Sequence, residues 1–282
     1  MHKRFFAMLT ALVVASPVVA SPFDVASAAP RAGRTDCRTA ALADLQRLAP
    51  RGHAIYEAVT DKKQFLHWLT CDDVQLGLAT GVHETVHLLT EERDAYLLID
   101  GSAVRRPHEV SRFFAPKEIA RKFDAQDAYV QTYLRPGGAS SKDDFMYLLD
   151  ELNAYSHDLN TAVSLVSLRR RDRDVDHRDG LAALMTFVMS YVDTAKKSQP
   201  ATWQRLMQPE PRRVVQVLWK QAEGVLNSSC NIPRFGKNLG YIRFLSDSKN
   251  GEALSEVLGR APVAPTECLT PTAPTASAAP AE

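Results

Sequence analysis

The chain has 282 residues, with 34 basic side chains against 33 acidic ones and a formal charge of +1. A balance this even gives no electrostatic footprint for nucleic acid or for an anionic membrane surface. Both ends are unlike folded protein, and the roughly 230 residues between them suffice for one large domain or two small lobes.

Lys3 and Arg4 precede an apolar run from Phe5 to Ala15, followed by SPVVASPFDVASAAP. A basic start, a short apolar stretch and an A-x-A-like end read as a secretory signal peptide spanning residues 1–28, cut after Ala20 or Ala28. The run is too short for a membrane span. The expectation is a soluble, periplasmic or secreted protein with no membrane insertion once the signal is removed.

Residues 29–260 form the expected domain, mostly helical. Apolar residues recur at three and four through CRTAALADLQRLA and DKKQFLHWLT. Asp72-Asp73 then opens a helix to Thr90 whose apolar stripe is Val74, Leu78, Val82, Val86 and Leu89. Gly77 and Gly81 sit one turn apart in it, each costing about 1 kcal/mol relative to alanine. Close approach by another element is the reason to keep them.

The sheet signal follows at once. Ala95–Ile99 meets Asp100-Gly101 and then Ser102-Ala103-Val104, a D-G pair between extended runs that predicts a hairpin. Tyr129–Leu134 (YVQTYL) reads as a further strand. After the breaker PGGASS, Ser141 and Asp144 resemble a capping box opening a long helix, Asp143–Leu168. Helices are also expected over Leu181–Lys197, Arg212–Leu226 and Gly251–Leu258, with a shorter one near Ala201. From Ala261 the composition turns to proline, alanine and threonine, which reads as a disordered tail over residues 261–282. The fold class is therefore mainly α with a small antiparallel β element.

Cys37, Cys71, Cys230 and Cys268 make an even set in an exported chain, which favours two disulfides. Proximity in sequence favours Cys37–Cys71 and Cys230–Cys268. No two cysteines have the spacing of a zinc site.

His83-Glu84-Thr85-Val86-His87 matches H-E-x-x-H. Two histidines four apart on a helix project from one face and can reach one zinc ion. Glu84 points about 100° further round, beside the open coordination position, where it can handle a water's proton as general base and acid. The third ligand does not continue this helix. Glu109 and Glu118 lie in segments of weak helical support, whereas Glu151 is central in the long helix. Its face carries Tyr147, Glu151, Ala154, Tyr155 and Asp158, a polar stripe on a helix otherwise built to be buried. Such a stripe needs partners.

His83-Glu84-x-x-His87 with Glu151-x-x-Ala154 resembles the gluzincin class of zinc metallopeptidases. The resemblance implies a zincin-like fold, Zn2+ held by His83, His87 and Glu151, Glu84 as catalytic base, and a peptide or protein substrate. In that class the alanine lets two helices approach, and an aspartate four after the glutamate orients a zinc histidine. Here that position is Tyr155, so the orienting role falls to Asp150 or Asp158. Tyr155 or Tyr147 could donate to the tetrahedral oxyanion, or serve only in packing. The hairpin, or the Tyr129–Leu134 strand, offers an edge for an extended peptide. The alternative is a non-catalytic helical binding or scaffold protein.

RRRDRDVDHRDG (169–180) has Asp172, Asp174 and Asp176 at alternate positions. A calcium loop needs glycine where His177 stands and glutamate where Ala183 stands, so a solvated linker is expected. His157, off the Glu151 face, reads as an outer-sphere or surface residue. A di-iron site would need a second E-x-x-H, which the chain lacks.

Overall fold

The helical periodicity is carried through in the computed structural model, which describes residues 37–170 and 175–270. The signal-peptide reading, Asp172, Asp174 and the tail beyond residue 270 lie outside the described residues. In chain order come α1 (Cys37–Leu48), α2 (Pro50–Ala58), α3 (Lys62–Trp68) and α4 (Val74–Arg93). The hairpin strands β1 (Ala95–Leu97) and β2 (Ala103–Arg105) follow, then α5 (Ala128–Leu134) and α6 (Phe145–Ser164). The rest is α7 (His177–Ser198), α8 (Pro200–Leu206), α9 (Pro209–Ser229), α10 (Leu239–Ser246) and α11 (Glu252–Leu258). Short 3-10 turns connect them.

Asp73 caps α4, its carboxylate accepting from Leu76 N at 3.2 Å. Leu78, Val82, Val86 and Leu89 are fully buried, as their spacing requires. The glycines do mark close approaches. A Cβ on Gly77 would stand 2.8 Å from the backbone nitrogen of Thr70, and one on Gly81 would stand 3.2 Å from the Phe65 ring of α3.

The β1–β2 hairpin is antiparallel, with Ala95 opposite Arg105 and Leu97 opposite Ala103. Gly101 takes the positive φ of 91° that the turn demands. A buried polar chain fastens the hairpin to two helices. Asn153 Nδ2 and His157 Nε2 both donate to Leu97 O, at 3.0 and 2.9 Å. Gln221 accepts from Ile99 N and donates to Asn153 Oδ1. His157 is thus a buried anchor of the hairpin, not a surface residue.

Three expectations fail. Tyr129–Leu134 belongs to α5, not to a strand, because Asp127 accepts from Tyr129 N and Val130 N and so starts a helix. Its buried residues, Val130, Tyr133 and Leu134, fall at helical spacing. The cap of α6 is Asp144, which accepts from Met146 N, while Ser141 sits in a preceding 3-10 turn and donates to Tyr133 O. Residues 261–270 are not loose. Buried Glu223 accepts from Val263 N and pairs with Arg260, and Cys230–Cys268 ties the segment to α9. The second disulfide is Cys37–Cys71, so both pairings are those that sequence proximity favours.

The core falls into two apolar clusters. A smaller one gathers α1 to α4 with Leu97 and Ala154, and a larger one surrounds α6, α7 and α9. α7 is buried along nearly its whole length. Gln75 Nε2 of α4 donates to Ala162 O of α6, and His87 meets Asp150, so α4 and α6 run antiparallel. Ala154 of α6 belongs to the α4 cluster, as expected of a residue that lets two helices close together. No described helix is long and apolar enough to cross a membrane.

Candidate metal centre

At the seam between the clusters, α4 supplies His83 and His87 and α6 supplies Glu151. Their ligand atoms converge. His83 Nε2 and His87 Nε2 are 3.2 Å apart, and Glu151 Oε2 lies 3.4 Å from His87 Nε2 and 3.7 Å from His83 Nε2. Ligands around a tetrahedral ion with bonds near 2.0–2.1 Å stand about 3.3 Å from one another, and the point equidistant from these three atoms is roughly 2.0 Å from each. Glu151 Oε2 is also buried with no hydrogen-bond donor. A stranded carboxylate oxygen costs about 1–3 kcal/mol, more when charged, and a cation at this point removes the cost. The residues fit a divalent metal.

The orienting role is filled by Asp150. Its Oδ2 lies 2.7 Å from His87 Nδ1, so Nδ1–H donates outward and the Nε2 lone pair faces the centre. Asp158 pairs instead with His177. The two imidazoles are tuned apart. Burial, then the neighbouring His87, hold the His83 pKa well below the ordinary range. Burial alone would lower His87 too, but the charge of Glu151 and the hydrogen bond to Asp150 raise it well above that range.

Glu84 follows His83 and lines the same cleft, about 300 Å³ in volume. Burial raises its pKa, with Glu151 and Asp158 adding to the rise and His87 opposing it. Tyr155 reaches the cleft with its ring edge-on to His83, centroids 4.6 Å apart. Gly180 of α7 makes room for that ring, since a Cβ there would stand 2.2 Å from it. The Tyr155 hydroxyl shares a 2.7 Å hydrogen bond with Tyr133 of α5. Tyr147 does not line the cleft, and the Arg106 guanidinium lies over its ring at 5.6 Å. Glu109 and Glu118 are outside the converging set.

The sequence misses Tyr133 and Tyr129, hidden in the misread strand, and His177, hidden in the charged run. All three line the cleft. Its walls come from α4, α5, α6 and the start of α7, and no strand residue contributes. Comparison with protein families, with curated proteins and with solved structures returns no match.

Proposed function

We propose that this chain is an exported zinc-dependent peptidase of the gluzincin type, hydrolysing peptide amide bonds. The observation that carries the reading is the convergence of His83 Nε2, His87 Nε2 and the donor-less Glu151 Oε2 at zinc-bond distance, with Glu84 next to the first ligand. A bound zinc ion supplies Lewis acidity there, making a water easier to deprotonate and a carbonyl easier to attack. Glu84 takes the proton of the attacking water as the new C–O bond forms. The same carboxyl, kept protonated more readily by its burial, then delivers that proton to the amine nitrogen as the C–N bond breaks. When Tyr155 accepts from Tyr133 in their shared hydrogen bond, its own hydroxyl hydrogen is free to donate where the carbonyl oxygen gains charge. Asp150 keeps His87 in the tautomer that faces the centre. Two disulfides suit an oxidising compartment, periplasmic or extracellular, in keeping with the N-terminal segment.

The test is metal analysis of purified protein combined with Glu84→Gln. The expected outcome is about one zinc per chain, with hydrolysis of a peptide library abolished in the variant and metal retained. Protein that folds metal-free, and is equally stable after His83→Ala, ends the reading. Metal retained with no turnover in the wild type leaves the binding or scaffold protein instead.

A further inference from the structure

The run RRRDRDVDHRDG reads as a solvated connection, yet its His177 begins α7 and is only 4 % exposed. Its Nδ1 lies 2.7 Å from Asp158 Oδ1, and its Nε2 is buried with no hydrogen-bond partner. Both residues line the cleft that holds His83 and Glu84. An imidazole clamped through one nitrogen and stranded at the other costs about 1–3 kcal/mol unless something completes it. The same wall carries the positive end of α7, a helix of 22 residues whose N-cap Asp176 makes no side-chain capping bond.

The pair lies in the same cleft as His83 and Glu84 but is displaced along α6 from Glu151. Asp158 follows Glu151 by seven residues on one face of α6, which places it about 10 Å further along the helix. The Tyr155 ring stands between, packed against His83 on one side and Gly180 on the other. His177 therefore meets a part of a ligand displaced from Glu151, and about 10 Å is the span of three extended residues.

We propose that His177, held by Asp158, is an anchoring residue that takes an acceptor oxygen of a short peptide, a terminal carboxylate or a backbone carbonyl, two helical turns along α6 from Glu151. The class of occupant rests on the peptidase reading, whereas the anchor itself needs no turnover. The charge of Asp158 and its hydrogen bond raise the His177 pKa in spite of burial, so the imidazolium can donate from both nitrogens.

The experiment titrates N-acetyl-trialanine, as free acid and as amide, calorimetrically into the full metal-loaded chain carrying Glu84→Gln, which leaves the peptide uncut. Adding His177→Gln should weaken binding about 10- to 100-fold. A loss confined to the acid identifies the carboxylate, and an equal loss with both peptides identifies the carbonyl. Removing His177 alone strands a buried Asp158 charge, so Asp158→Asn/His177→Gln is measured beside it, with circular dichroism and metal content as controls. Unchanged affinities in both variants overturn the proposal, as does the absence of binding of either peptide to the parent at millimolar concentration. Repeating the titration on metal-stripped chain separates the two readings. Binding that depends on His177, in a protein whose wild type never cleaves, keeps the anchor and removes the peptidase. Cleavage by the wild type with no His177 effect does the reverse.

Discussion

A carboxylate 2.7 Å from His87 Nδ1 fixes both the ring's orientation and the nitrogen that keeps its lone pair. Asp150→Ala removes the acceptor and should weaken zinc binding about 10- to 100-fold, read by competition with a chelator of known affinity. Asp150→Asn keeps an acceptor oxygen and should lose less. The H-E-x-x-H pair is legible because helix period alone puts residues four apart on one face. Glu151 is legible because a polar stripe among Leu148, Leu152 and Leu159 has no reason to be there without a partner. His177 is not legible in the same way. Its burial depends on Asp158, 19 residues earlier on another helix, and nothing in a run of alternating arginines and aspartates announces that pairing.

At the scale of the element, α4 works because its neighbours come close. A Cβ on Gly77 would meet backbone atoms of Thr70 and Trp68 at 2.8 and 2.9 Å, and backbone cannot swing aside. Gly77→Ala gains about 1 kcal/mol of helix propensity and loses about 1–3 kcal/mol to overpacking. The net expectation in urea unfolding is a loss of up to about 2 kcal/mol. At Gly224 in α9 an added methyl would find nothing within 4 Å, so Gly224→Ala should stabilise by about 0.5–1 kcal/mol. The long helices are readable from their period, while α5 is not. Seven residues rich in tyrosine, valine and threonine satisfy either period, and only the Asp127 cap decides between them.

For the whole molecule, His157 ties the hairpin to α6 at a cost that depends on pH. Burial lowers its pKa to about 4, against an unfolded value near 6.5. Below pH 6.5 the unfolded chain therefore binds a proton that the folded chain refuses. The stability associated with this residue is complete above about pH 6.5 and falls as pH drops toward 4, by about 3 kcal/mol. His157→Gln keeps a donor for Leu97 O without the titration. Between pH 7 and pH 4 the variant should lose about 3 kcal/mol less than wild type in urea unfolding.

The cleft walled by helices bears on how substrates would be chosen. Inside a helix the main-chain donors and acceptors are already committed to one another. A ligand laid between α4, α5, α6 and α7 finds few free backbone groups to pair with, and it is read mainly by side chains. Recognition along a sheet edge is indifferent to most sequences, because every peptide carries the same backbone. Recognition by Tyr129 and His177 would change with each residue replaced, so the preference of such a site could be rewritten one codon at a time without touching a metal ligand.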